Sequence, residues 1–251
     1  MKARLINMTA DEYHANGMSK VPAYSNSIGK IIINQSPLHA WAAHPLLNPA
    51  YERVEKSAFD LGTAAHAALL EGLDVCRVLE FDDWRTSAAK DAKYAARKDK
   101  KIPMLRKDYP ALAMMYAVAQ EAISNCADLG GLRLSDGKPE QTIHMDNSET
   151  HIKMRLDWLS DDRRVILDYK TTAIESPRAW MRSISSSGAD MQAALYSGGV
   201  EVLTGEEPRF IFMVQEVELP TACYFIGMAG QQLERGQRKT QFAINPGPEC
   251  L

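Results

Sequence analysis

The stretch Arg155-Leu-Asp-Trp-Leu-Ser-Asp-Asp-Arg-Arg-Val-Ile-Leu-Asp-Tyr-Lys-Thr-Thr172 decides how this chain is read. Two largely apolar runs flank a polar turn, Ser160 to Arg164, so the segment predicts two strands joined as a hairpin. Residues two apart in a strand share a face. Asp168 and Lys170 therefore project together, while Leu167 and Tyr169 point the other way. On the preceding strand His151, Lys153, Arg155 and Asp157 alternate with Ile152, Met154, Leu156 and Trp158. Paired as a hairpin, the strands bring Asp157 and Asp168 toward one point, with Lys170 beside them.

Two carboxylates and a lysine at a sheet edge suit phosphodiester hydrolysis. Hard oxygen ligands hold Mg²⁺, which polarises phosphate and lowers the pKa of a bound water. The lysine can orient that water or offset developing negative charge. The plainer alternative is a surface hairpin with ordinary charges, because Asp-x-Lys arises often by chance. Against it, Val165-Ile-Leu167 is apolar, so Asp168 ends a buried-type strand, where a charge is costly unless paired or metal-bound. The residues alone leave both readings open.

The chain has 251 residues, 45% hydrophobic and 24% charged, an ordinary globular composition that argues against wholesale disorder. The start, Met1 to Asn7, has no signal-type apolar run, and no window approaches a membrane span. The expectation is a cytoplasmic protein with no membrane partner. Cys76, Cys126, Cys223 and Cys250 are widely spaced, which points to reduced thiols rather than zinc or iron–sulfur ligands. Net charge is −3, but Arg85 to Lys107 holds nine cations against Asp91 and Asp99. Such a block reads as a solvated helix face or mobile loop, or as a grip on backbone phosphates.

Along the chain, residues 9–20 read as a capped helical turn ending at Gly17. Helices follow at Asn26 to about Ile33, Pro37 to Ala43 (Ser36 capping), Phe59 to Glu71, and Pro110 to Asn125, with further helix in the basic stretch. After Gly130 come strands at Glu140 to Met145, His151 to Leu159 and Arg164 to Thr171. Helices from Ser176-Pro177 to about Ile184 and from Ala189 to Leu203 follow. Strands at Arg209 to Val217 and Ala222 to Gly227 and a helix from about Ala229 to Lys239 complete the pattern. The expectation is one α/β domain over 1–251, helical in 1–130 and carrying a sheet core in 131–244.

Several landmarks resemble the PD-(D/E)xK nuclease superfamily, most closely the RecE group, the nuclease domain of exodeoxyribonuclease VIII and its phage and prophage relatives. Tyr24-Ser-Asn-Ser-Ile-Gly-Lys30 and Gln35-Ser-Pro-Leu-His-Ala-Trp41 resemble the group's opening motifs. Leu61-Gly-Thr-Ala-Ala-His-Ala-Ala-Leu-Leu-Glu71 resembles its G-T-A-x-H helix. Glu140, Asp157, Asp168 and Lys170 follow the order of its acidic strands, and Gln192-Ala-Ala-Leu-Tyr196 resembles its Q-x-x-x-Y helix. The likeness spans about residues 10 to 240, and five motifs in order are far more specific than any one.

The resemblance implies a restriction-endonuclease-like core, a mixed sheet flanked by helices. It implies Asp157, Asp168 and the Tyr169 backbone carbonyl as Mg²⁺ ligands (with Mn²⁺ able to substitute) and Lys170 as the group that positions or activates water. His66 would ligate a second metal or contact the scissile phosphate; on residues alone it is as well read as a packed helical histidine. Glu140 would complete the acidic cluster, with Glu149 a rival in a turn. Gln192 and Tyr196, on one helix face, would border the site and contact DNA, and Arg155 and Lys153 would meet phosphates. The implied reaction is hydrolysis of linear double-stranded DNA from the 5′ end, leaving a 3′ strand for an annealing protein in a bacterial host. The implied assembly is a ring-shaped homo-oligomer, positive inside and negative outside. Members of the group carry more ordered sequence where this chain ends, soon after Ile244, and it reads as a stand-alone nuclease domain. Two rivals remain. An iron–sulfur nuclease would need grouped cysteines, which are missing. A degenerate fold that only binds DNA ends or a recombination partner would lack turnover.

Overall fold

Strand pairing begins at the second residue. The computed structural model describes residues 1–16, 19–52, 61–147, 149–174 and 176–245. The strands are β1 (Lys2–Ile6), β2 (Cys76–Leu79), β3 (Ile102–Leu105), β4 (Gly137–Asp146), β5 (His151–Ser160), β6 (Val165–Thr172), β7 (Arg209–Glu216) and β8 (Cys223–Met228). The α-helices are α1 (Ala10–His14), α2 (Asn26–Asn34), α3 (Pro37–Ala43), α4 (Leu61–Glu71), α5 (Ser87–Lys98), α6 (Tyr109–Asn125), α7 (Pro177–Ser187), α8 (Ala189–Thr204) and α9 (Gln231–Ile244). Gly17, Phe59 and Cys250, on which parts of the sequence reading fell, lie outside the described residues.

Six strands form one mixed sheet in the order β1-β4-β5-β6-β7-β8, antiparallel except for the β6–β7 pair. A parallel pair needs a crossover, and α7 and α8 supply it. Ser176 caps α7 ahead of Pro177, a start that the Ser-Pro pair foretells. The N-terminal part is not purely helical, contrary to the sequence expectation. β1 pairs antiparallel with β4, from Lys2 opposite Asp146 to Ile6 opposite Thr142. β2 and β3 form a separate parallel pair with α5 between them. Five- and four-residue strands carry too few alternations to register as periodicity, and partners far along the chain stabilise them.

Helices cover both faces of the sheet. On one face, Ile166, Phe210 and Phe212 meet Trp180 of α7 and the small residues of α8. Trp180 and Phe212 stack edge to face at 5.3 Å, as do Phe210 and Phe212 at 4.8 Å, so truncating Phe212 is expected to cost about 3–5 kcal/mol. On the other face, Leu167, Tyr169 and Met213 pack against Ala64, Ala65 and Ala68 of α4 and Leu112 and Met115 of α6. α9 closes on α8 at Gly236, where a Cβ would lie 2.0 Å from the Asp190 carbonyl oxygen.

Strict alternation along β5 fails at one residue. Met154 and Leu156 face the α7–α8 core, but Trp158 belongs to the α4–α6 core, so the phase breaks at Asp157. Two features coincide there. The β5–β6 ladder holds only Trp158 opposite Leu167 and Leu159 opposite Ile166, after which β6 diverges. The freed edge of β5 is taken by Tyr24, which exchanges backbone hydrogen bonds with His151 and Lys153 at 2.8 Å each. On the other side, the β4–β5 register runs unbroken except at Glu140, whose φ of 56° lies in the left-handed region. A non-glycine residue held there costs about 1–3 kcal/mol and is characteristic of functional sites.

Candidate active site

The register puts three acids in one row. Extended by one step, the β4–β5 ladder sets Glu140 opposite Asp157, and the β5–β6 ladder sets Asp157 opposite Asp168. The β4–β5 ladder skips that one pair and resumes at Gln141, whereas the β5–β6 ladder ends there, so Asp157 and Asp168 stand where β5 and β6 part. Asp157 stands at the fork. Its Oδ2 accepts the Tyr169 N–H at 2.9 Å and lies 3.0 Å from His66 Nε2, on α4. The His66 ring stacks on Tyr169 at 5.9 Å, which fixes its approach.

Asp168 is wholly buried. Lys170 Nζ lies 2.5 Å from its Oδ1, as expected for residues two apart, and Gln192 Nε2 of α8 donates to its Oδ2 at 2.5 Å. Oδ1 has the ion pair but no well-directed hydrogen bond. A buried carboxylate oxygen so placed is under-coordinated. Burial, and then repulsion from Asp157, push the Asp168 carboxyl up to about 7. Burial also acts to raise the Asp157 carboxyl, but Lys170, His66 and the Tyr169 amide outweigh it and hold it low. The pair shares its charge unequally, as close carboxylates do. Lys170 is raised: burial opposes its charge, but both aspartates overcome that. It is an ammonium, suited to orienting and neutralising rather than to accepting a proton. His66 is raised in the same way, Asp157 overcoming burial.

Candidate ligand atoms of His66, Glu140 and Asp157 lie within 4.8 Å of one another. Burial raises the Glu140 carboxyl against the opposing effect of Arg155. Two carboxylates with one imidazole match the donor preferences of a hard divalent cation such as Mg²⁺ or Mn²⁺, and Asp168, opposite Asp157, adds a third carboxylate next to that group. The residues present fit such an ion.

Other expected site residues are placed differently. Lys153 is 5% exposed; its Nζ donates to the Tyr13 carbonyl at 2.7 Å and sits 4.8 Å over the Tyr13 ring. That corrects its reading as a phosphate contact, because α1 covers it. Arg155 is tied to Glu140 and also donates to the Met8 carbonyl at 3.2 Å, so its fork is engaged within the protein. Tyr196 is buried against Phe210, and burial drives its hydroxyl far up; it backs Gln192 and meets no solvent-borne ligand. Glu149 is exposed in the turn between β4 and β5 and is not in the row. Lys30 of α2 was missed as a site residue. It is half-buried, it feels both Lys170 and Asp168, and its stem lies across Gly188, where a Cβ would come within 2.7 Å of it. The signal was the closing residue of the Tyr24–Lys30 motif. A second histidine group, His144, Asp146 and His151, already contains a cation: Arg4 reaches His144 Nδ1 and Asp146 Oδ2 at 2.9 Å each.

Among solved structures, the chain is similar to a candidate exonuclease from Eubacterium rectale, with a TM-score of 0.61 at 15% identity over 98% of this chain and 85% of that one. At that identity the likeness concerns the fold alone. SSO0001 aligns over 65% of this chain and 71% of its own with a TM-score of 0.31 at 11% identity, too low to inform the reading. No curated protein matches the sequence. No helix among the described residues is long and apolar enough to cross a membrane. The mixed sheet with helices on both faces and the acidic row at its fork are those of a PD-(D/E)xK nuclease-like domain. The chain belongs to the family described as PDDEXK-like domain of unknown function (DUF3799), whose profile matches residues 30–249.

Proposed function

We propose that this protein is a divalent-metal-dependent exodeoxyribonuclease. It acts on linear double-stranded DNA from the 5′ end and leaves 3′ single strands for a strand-annealing partner in the cytoplasm of a bacterial host. One observation carries the hydrolytic part: a fully buried Asp168, clamped by Lys170 and Gln192 and repelled by Asp157, at a fork also reached by His66 and Glu140.

In this reading Asp157, Asp168 and Glu140, with His66 and the Tyr169 carbonyl, would hold Mg²⁺, and Mn²⁺ would substitute. The ion supplies polarisation of the phosphate and a more acidic bound water. Lys170, kept as an ammonium, orients the attacking water by donating a hydrogen bond and offsets charge on the phosphate oxygens. Gln192 holds the Asp168 carboxylate in one orientation, and Tyr196 supports Gln192 from behind. The Glu140 ion pair sets Arg155 at the rim. A ring-shaped homo-oligomer is the proposed assembly, consistent with the negative total charge.

The test is digestion of linear duplex labelled at its 5′ or 3′ end by wild type and Asp168→Asn, with Mg²⁺ or with chelator. Early release of 5′ label, absent in the variant and in chelator, is expected. Release of the 3′ label first would keep the nuclease and reverse the polarity. DNA binding with no release from either end would leave a binding module.

A further inference from the structure

The largest block of positive charge lies outside the site. β2, α5 and β3 form a small β-α-β unit, and α5 is its outer layer. α5 buries Ala89 and Ala96, so its inner face is made of methyl groups. The opposite face carries Lys90, Tyr94, Arg97 and Lys98, which at 3.6 residues per turn fall within about 100° of arc. Tyr94 is 73% exposed, the most exposed aromatic ring among the described residues. Its ring is a flat apolar surface open to water, with cations on either side along the helix.

Four acids of this region pair with cations outside that face. Asp99 pairs with Arg77 at 2.7 Å, Glu80 with Arg106 at 2.7 Å, Asp83 with Arg85 at 3.5 Å and Asp74 with Lys101 at 3.5 Å. Asp91, at the margin of the face, accepts from Ser87. Lys90 and Lys98 are exposed and join no ion pair among the described residues, so their charge faces solvent.

We propose that the outer face of α5 binds single-stranded DNA, with Tyr94 stacking on an unpaired base and Lys90 and Lys98 contacting flanking phosphates. Cations alone would suit any phosphate backbone. The exposed ring selects the unpaired strand, because bases in a duplex already stack on one another and offer no free face. The proposal rests on the nuclease reading only for its purpose; the surface itself can be tested without turnover.

The measurement is fluorescence anisotropy in chelator with a labelled oligothymidylate of about 16 nucleotides and a blunt duplex of similar length. Wild type is expected to bind the single strand. Tyr94→Ala should weaken that binding by roughly tenfold and leave duplex affinity unchanged, while Tyr94→Phe restores it. Replacing Lys90 and Lys98 together by Ala should flatten the slope of log affinity against log salt by about 1.4, the value for two single-strand phosphates. Unchanged binding in Tyr94→Ala, or equal losses for single strand and duplex, would overturn the proposal. So would a wild type that does not bind oligothymidylate. Binding in chelator without metal-dependent cleavage would instead remove the nuclease reading and leave this surface standing.

Discussion

Among the described residues two aspartates have no exposure at all, Asp168 and Asp190, and their surroundings could hardly differ more. Asp190, at the start of α8, receives Arg235 at 2.7 Å and Lys239 at 2.9 Å from α9, and its Oδ1 accepts the Met191 N–H at 2.9 Å. Two cations and an amide saturate it, and the group pins α9 to α8. Asp168 has one lysine and one amide side chain, faces a second carboxylate, and keeps an oxygen without a hydrogen bond. Burial of a carboxylate is tolerable when partners replace its water. A saturated buried acid is structural, and an under-coordinated one beside another acid is a place for a cation.

The sharpest way to break this contrast is to neutralise each acid. Asp168→Asn keeps the shape and removes the repulsion, so cleavage should fall about a thousandfold or more while the metal-free protein melts no lower than wild type. A large drop in melting temperature would make Asp168 merely structural. Asp190→Ala should do the reverse, lowering unfolding free energy by about 1.5–3 kcal/mol because the part-exposed Arg235 and Lys239 lose the buried acid that ties α9 to α8. Its cleavage per folded molecule should stay near wild type, and a selective loss of activity in denaturant-checked protein would contradict the division.

A smaller effect concerns metal binding itself. Mg²⁺ or Mn²⁺ at a hundred times its Kd should stabilise wild type by about 2.7 kcal/mol, seen as a rise in melting temperature. Asp168→Asn should show little of that rise, and equal stabilisation of both proteins would place the ion elsewhere. Gln192→Ala releases the oxygen that α8 holds, and a loss of about 10- to 100-fold in metal affinity or activity is expected from freeing a ligand's partner. Full activity in that variant would remove Gln192 from the site.

A separate effect concerns Lys153, a buried charge with no acid paired to it among the described residues. Burial depresses its ammonium to about 8, so below that pH the folded state carries an unfavoured charge. The unfolded chain keeps the proton to about 10.5, so stability should rise with pH across the window from 8 to 10.5. Lys153→Met should flatten that rise and leave DNA binding intact. An undiminished pH slope, or weakened DNA binding, would count against its burial under α1.

The residues of β5 and β6 announced more than any others. Period-two alternation put Asp168 beside Lys170, and the apolar Val165-Ile-Leu167 made Asp168 a buried acid, both consequences of local backbone geometry. Caps were equally legible at Ser36 and Ser176, where a hydroxyl precedes a proline. The positions of His66 and Gln192 came from motif likeness, since nothing in an alanine-rich helix says which way its histidine points.

What escaped depended on segments distant in sequence. Lys153 and Arg155 look like ordinary strand cations until Tyr13 and Met8 arrive from the N-terminus to cover them. Lys30 gained its neighbours only when α2 met the turn at Gly188. β1 exists as a strand because β4 offers it an edge. By itself the sequence determined the alternating acids, the helix starts and the α/β class, all set by interactions within a few residues. Only the tertiary structure decided that Glu140, Asp157 and Asp168 form a row where the β4–β5 ladder skips a pair and β5 parts from β6, and which cations face water. Those outcomes depend on where ladders break and on elements more than a hundred residues apart that exclude solvent, and no local pattern records either.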